Sequence, residues 1–71
     1  MKFEYGQTVL VVVTAPKTFC PGQFGSICGE RSIENEATAK AFSEPLGTVL
    51  CLVEFSDGQA IEIPQHWLEA K

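Results

Sequence analysis

The sequence predicts an all-β domain, a small closed barrel of about five short strands with an insertion between strands two and three. Three observations favour this fold. The apolar runs are short and rich in β-branched residues, Gly and Pro separate them, and 71 residues are too few for a two-sheet sandwich. We expect one domain over residues 1–71, because no linker, repeat or low-complexity tract divides the chain.

Two short apolar runs predict the first two strands. Residues 9–14 form a nearly continuous β-branched run, and a loop with Pro and Gly follows over residues 15–23. Residues 24–29 then predict a second strand. Its glycines, Gly25 and Gly29, indicate bends or a close approach of another backbone.

Residues 30–47 form an insertion in which the pattern predicts at most one short helix. Ser32 is a suitable N-cap, and Glu36 and Lys40 have the spacing of an i, i+4 ion pair. Residues 43–47 would then form a loop. The apolar side of this helix would consist of Ile33, Ala37, Ala41 and Phe42.

The third and fourth strands, Thr48–Phe55 and Gln59–Ile63, form a hairpin whose register follows from the side-chain pattern. A two-residue turn would place buried positions opposite exposed ones. A three-residue turn, Ser56–Gly58, keeps one face apolar and uses Gly58 as its left-handed residue. The predicted pairs are Val53 with Ile61, Cys51 with Ile63, Leu52 with Glu62, and Glu54 with Ala60.

Charge and composition exclude several classes of function. Nine acidic residues against five Lys and Arg give a net charge of −4, which disfavours binding to nucleic acid or to anionic lipid. No apolar run reaches the roughly 18 residues of a membrane span, and no signal peptide is evident, so we expect a cytoplasmic protein. An odd number of cysteines fits reduced thiols better than a disulfide framework.

No motif predicts catalysis, a metal site or a cofactor. Three cysteines and one histidine match a zinc site in number, but no pair of them has the close spacing that usually presents two thiolates to one metal. Nothing in the sequence fixes the histidine beside a thiol, so we expect no Cys–His nucleophile. These residues are Cys20, Cys28, Cys51 and His66.

Acidic residues are the main candidates for a binding role. They are frequent in the insertion and in the hairpin, at positions that the pattern predicts to be exposed. Two interpretations stay open, which are ordinary solvated charge and an acidic docking face for a cationic partner. The candidates for partner contact are Glu34, Glu36, Glu44, Glu54 and Asp57.

Strands one and three carry apolar side chains on both faces, although a solvated sheet face should be polar. Either the insertion covers the outward-facing residues with Ile33, Ala37 and Phe42, or these residues contact another chain. The outward-facing residues are Leu10, Val12, Leu50 and Leu52, of which Leu50 and Leu52 are further candidates for partner contact. The predicted inward set is Val9, Val11 and Val13 with Val49, Cys51, Val53 and Phe55.

The aromatic residues suggest both a core and a groove. Phe24 and Phe55 are expected in the core. Tyr5, Phe19 and Trp67 would suit the aromatic lining of a peptide groove, and a core position for Trp67 stays open.

Four segments resemble a small SH3-like barrel: Gly6–Val11, Pro21–Ile27, Val53–Gly58 and Ile61–Glu69. The pattern is similar to SH3-like immunity proteins of bacterial polymorphic toxin systems. More distantly, it resembles the barrels of photosystem I accessory subunits and of the nitrile hydratase β subunit, without the Arg-rich start of the latter. The resemblance to immunity proteins implies an inhibitor that covers a cognate toxin, and the acidic charge favours a basic toxin such as a nuclease.

The leading hypothesis is therefore a non-catalytic protein-binding module of the immunity type. The alternative is a structural accessory subunit of a larger electron-transport or enzyme complex, docking through Leu10, Leu50 and Leu52. The two hypotheses differ in their response to salt, because electrostatic association is screened and apolar docking is not. The sequence does not predict an oligomeric state.

Overall fold

The computed structural model describes residues 3–71, which form five β-strands, one α-helix and two 3₁₀ turns. The strands are β1 (Thr8–Val11), β2 (Phe24–Ser32), β3 (Val49–Phe55), β4 (Ala60–Pro64) and β5 (Leu68–Ala70). The helix, α1, is Glu36–Phe42, and the 3₁₀ turns are Lys17–Phe19 and Gln65–Trp67. No helix within residues 3–71 is long and apolar enough to cross a membrane.

All five strands belong to one antiparallel sheet with the order β4-β3-β2-β1-β5. The prediction of a mostly β fold with a helix between the second and third strands is confirmed. β4 and β5 are the two edges of the sheet, and the 3₁₀ turn Gln65–Trp67 joins them along the chain. Closure of the sheet into a barrel stays a prediction.

One face of this single sheet forms the core. Every strand contributes to the same cluster of buried side chains. A flat sheet would need a second layer to bury that face, so the sheet must bend around its own core. The cluster consists of Phe3, Val9, Val11, Ala15, Ile27, Cys51, Val53, Phe55, Ile63 and Leu68.

The β3–β4 hairpin has the predicted register. Val53 lies opposite Ile61, and the other three predicted pairs are also present. Gly58 has a φ of 88°, and its N–H donates to the carbonyl of Phe55 at 3.0 Å. The prediction is confirmed because period-two alternation and a single left-handed glycine allow only one register.

The first two strands differ in length from the prediction. β1 ends at Val11, and the chain turns directly after Val12, whose carbonyl accepts from the Ala15 N–H at 3.0 Å. Val13 was predicted to face inward and is instead 79% exposed. β2 continues to Ser32, since it pairs with β3 again after a bulge at Cys28.

The helix begins later than predicted. Ser32 still belongs to β2, and Asn35 is the N-cap, with its side-chain oxygen accepting from the Thr38 N–H at 2.8 Å. The predicted apolar side is therefore wrong, because Ala37 and Ala41 are exposed on the helix. The half-buried residues of the helix are Thr38, Ala39 and Phe42.

Part of the outward-facing side of the sheet is buried, at the end where the insertion joins β2 and β3. Leu50 lies opposite Arg31 and Pro64 and is 0% exposed, although it is outside the main core cluster. Ile33, which continues the pairing with β3 at Thr48, is 1% exposed. Leu50 is therefore an interior residue, and the prediction that it contacts a partner is corrected.

Candidate functional site

Away from the end of the sheet where Leu50 is buried, the outward-facing side presents a surface that we call the outer face. It consists of Leu10, Phe24, Ser26, Leu52 and Glu54. Leu10 is paired with Phe24, and Ser26 with Glu54, and paired residues of an antiparallel ladder share a face. Because side chains alternate along a strand, these residues point away from the core that Val9 and Val53 occupy.

Glu54 lies on β3 within the outer face. Its side chain is exposed, and the thiol of Cys28 approaches Oε1 with Sγ at 3.8 Å. A thiol is a weak donor and carries no positive charge. Within residues 3–71 no cation pairs with Glu54, so its negative charge is available to a cation from outside.

Apolar side chains are close to Glu54. Phe24 is 49% exposed, whereas Leu10 and Leu52 are partly buried. The ammonium of Lys71 lies 5.3 Å from the centre of the Phe24 ring. An apolar surface with a free carboxylate is suited to the methylene stem and charged head of a partner's Lys or Arg.

An ion pair borders the outer face next to Leu52. Glu62 lies opposite Leu52 and accepts two hydrogen bonds from Arg31, at 2.5 Å from Nε and 2.8 Å from Nη2. These hydrogen bonds are the main reason that the pKa of Glu62 is below its usual value, while partial burial opposes them. The negative charge of Glu62 is therefore already compensated by Arg31.

The lowered pKa of Glu62 predicts how acid affects stability. A carboxylate with a lowered folded-state pKa stabilises the fold at pH values above its unfolded pKa, and this contribution is lost as pH falls through the folded pKa. We expect the difference in unfolding free energy between wild type and Glu62→Gln to shrink as pH falls below the ordinary pKa of 4.5. Urea unfolding of both proteins across the acid range measures this difference in free energy. Glu4→Gln is the control, because Glu4 forms no ion pair in residues 3–71. A difference between wild type and Glu62→Gln that stays constant with pH would contradict the prediction.

Most of the acidic residues have no counter-ion within the described chain. Of the nine Asp and Glu, Glu62 forms an ion pair with Arg31 in residues 3–71, and Glu44 contacts His66, which is a counter-ion only when its imidazole is protonated. The others are all exposed. They are Glu4, Glu30, Glu34, Glu36, Glu54, Asp57 and Glu69.

The predicted contact residues in the insertion lie apart from Glu54. Glu34 and Glu36 flank the N-cap of α1. The insertion enters β3 at Val49, and Glu54 is about 17 Å further along that strand at about 3.3 Å per residue. Glu44 has a side chain only 14% exposed, with Oε2 at 2.7 Å from His66 Nε2.

Asp57 lies in the turn after β3, where its Oδ1 accepts from the Gln59 N–H at 2.9 Å. The same turn borders a groove of about 250 Å³ whose opposite wall includes Cys20 and Gln23. The sequence did not indicate this groove, because its walls are far apart in the chain. Together with Glu54, Asp57 makes the hairpin end of the sheet acidic.

Neither the cysteines nor the predicted aromatic trio form the sites considered from the sequence. Cys20 and Cys28 are free thiols, and residues 3–71 contain no group of three or more His, Cys, Asp and Glu placed to hold a metal. Phe19 stacks on Phe42, with ring centres 6.4 Å apart, while Trp67 packs against the core and Tyr5 is 80% exposed.

Phe24 is the outer-face residue that sequence reasoning placed wrongly in the core. The relevant signal was the alternation along the strand, since Phe24 faces outward when Ile27 and Gly25 face inward. Phe55 is 8% exposed, as its predicted core position requires. Comparison with protein families, with curated proteins and with solved structures finds no significant match to this chain.

Proposed function

We propose that this protein is a non-catalytic protein-binding module of the immunity type, which inhibits a basic toxin domain by covering it with the outer face. The proposal also takes the bent sheet as an SH3-like barrel. The strand order, the 3₁₀ turn before the last strand and the resemblance to SH3-like immunity proteins support that fold. Fold alone does not define a function, so the argument rests on the outer face.

The observation that carries the proposal is the free carboxylate of Glu54 among apolar side chains. An approaching Lys or Arg would gain a counter-ion in Glu54, while its methylene groups would contact Phe24 and Leu52. Binding would remove water from this pair, which makes the ion pair sensitive to loss of either charge.

The other uncompensated carboxylates would act at longer range. Together with Glu54, these six residues give seven exposed negative charges without a counter-ion in residues 3–71, and such charges raise the rate at which a basic protein reaches the surface. We therefore expect Glu54 and its apolar neighbours to determine the affinity of the complex. The remaining acidic residues, including Glu34, Glu36 and Asp57, chiefly set the association rate.

The decisive experiment uses the toxin domain encoded by the gene that adjoins the gene of this protein. We expect purified wild-type protein to bind that domain and to restore growth when the two are expressed together. Glu54→Gln should weaken binding about tenfold or more, because a charge in the contact is lost.

Glu4→Gln is the matched control for Glu54→Gln. It makes the same charge change at an exposed residue that lies outside the outer face and forms no ion pair in residues 3–71. Its affinity should remain within about twofold of wild type. The absence of a toxin gene at that position, or equal affinities for the two variants, would refute the proposal.

The alternative, a structural accessory subunit docking through leucines, keeps only part of its predicted surface. Leu50 is interior, and Leu10 and Leu52 are partly buried. An apolar contact through these two residues would tolerate Glu54→Gln, so the same variant separates the two functions.

A further inference from the structure

The long strand β2 has a free edge beyond the region that β1 covers. β1 pairs with β2 only from Phe24 to Ser26, and Ile27 then bonds to Gly6 and Gln7 through backbone groups. From the bulge at Cys28 to Ser32, β2 pairs with β3 on one side. Within residues 3–71, no strand pairs with the other side of this stretch.

The ladder with β3 identifies the backbone groups at this edge. The Ile33 N–H donates to the carbonyl of Thr48, and the Ile33 carbonyl accepts from the Gly47 N–H, both at 2.9 Å. Groups alternate along an antiparallel strand, so Arg31 also bonds toward β3, whereas Glu30 and Ser32 direct their N–H and C=O away from it. Those four groups have no backbone partner within residues 3–71.

The side chains of this stretch, which we call the β2 edge (Glu30–Ser32), are all exposed. Arg31 is held by Glu62, so Glu30 provides the uncompensated charge. Charged side chains on an edge strand suppress uncontrolled pairing, and they admit a strand of complementary charge.

A second copy of this chain fits the β2 edge less well than a basic segment does. Two copies related by a two-fold axis pair antiparallel, and two of the three registers that use the free groups place Glu30 opposite a carboxylate, either its own copy or Glu34. The third register places Arg31, whose charge Glu62 already compensates, opposite its own copy, and Glu30 opposite Ser32, so it offers Glu30 no cation. A strand that places a cation opposite Glu30 is therefore the better occupant.

We propose that the β2 edge binds an extended segment of a basic protein, which adds to the sheet as a further strand and places a Lys or Arg opposite Glu30. The backbone groups of Glu30 and Ser32 would provide the hydrogen bonds, and the charge of Glu30 would select the segment. This inference rests on the proposed function, because it takes the added strand to be part of the same basic partner. It gives that partner a second contact, which lies outside the outer face.

Amide hydrogen exchange of the free protein is the first test. The Glu30 and Ser32 amides should exchange rapidly, while the amides of Gly29 and Arg31, which bond to β3, should be protected. Protection of Glu30 and Ser32 in the free protein would show that the edge is already occupied and would overturn the proposal.

The second test adds a blocked synthetic peptide with the sequence Thr-Val-Lys-Val-Thr. It should slow exchange at Glu30 and Ser32, and it should bind about threefold more tightly than the same peptide with Glu in place of Lys. Equal binding of the two peptides, or spectral changes only elsewhere in the protein, would refute the edge as a basic-strand site.

Synthetic variants isolate the backbone contribution. An ester in place of the Glu30 amide removes only the outward donor and should weaken peptide binding about fivefold without loss of stability. An ester at Arg31 is the control, which should lower stability and leave peptide affinity unchanged. The reverse pattern would contradict the assigned edge.

The toxin complex separates this inference from the proposed function. If the toxin binds and its binding depends on Glu54, while the Glu30 and Ser32 amides stay unprotected in the complex, the edge inference fails and the proposed function is supported. If no toxin binds, the proposed function fails, and the peptide experiment still decides whether the edge accepts a basic strand.

Discussion

Replacing Gly25 with alanine should destabilise the protein by about 3 kcal/mol. Gly25 lies opposite Phe55 on the inward side of the sheet, and an added Cβ would lie 2.5 Å from Val53 Cγ1 and 2.9 Å from the Glu54 carbonyl oxygen. Val53 is fully buried, so neither it nor the β3 backbone has space into which to move. A domain of this size has about 4–10 kcal/mol of stability in total, so the loss should be visible in urea or thermal unfolding.

Gly29→Ala is the matched control on the same strand. A Cβ at Gly29 would meet no atom within 4 Å, and its backbone is not left-handed. Its unfolding free energy should therefore remain within about 0.5 kcal/mol of wild type. Equal stability of the two variants would show that β2 and β3 do not approach as closely at Gly25 as described.

Leu50→Ala should cost about 3 kcal/mol, because truncating a fully buried leucine would leave a cavity. Leu52→Ala, two residues further along β3, should cost only about 1 kcal/mol, since Leu52 is partly exposed. Unfolding in urea measures both. The same small effect for both substitutions would show that Leu50 is not buried as described.

The β3–β4 hairpin could be predicted from sequence because its information is local. Alternation along two adjacent strands and one left-handed glycine, Gly58, specify the register. The end of β1 could not be predicted from residue types, because the β-branched run continues to Val13 although the chain already turns after Val12, whose carbonyl accepts from the Ala15 N–H. The start of α1 was missed because both Ser32 and Asn35 can cap a helix, and only pairing with Val49 shows that Ser32 belongs to β2.

The candidate site was predictable in its charge and not in its arrangement. The acidic composition identified Glu54 as a possible contact residue, but its apolar neighbours depend on which side of the sheet Phe24 and Leu50 face. A strand with apolar residues on both faces does not reveal which face another segment covers. The structure resolves this, because Leu50 is fully buried and Phe24 is exposed beside Leu10.

The salt dependence of association tests the central claim, that uncompensated negative charge directs this protein to a basic partner. The association rate constant with the basic partner that the proposed function requires, a toxin domain from the adjacent gene, should be measured from about 0.01 M to about 1 M salt, over which the Debye length falls from about 30 Å to about 3 Å. We expect the rate constant to fall about 100-fold. A rate constant that stays the same over this range would contradict the account and would favour apolar docking.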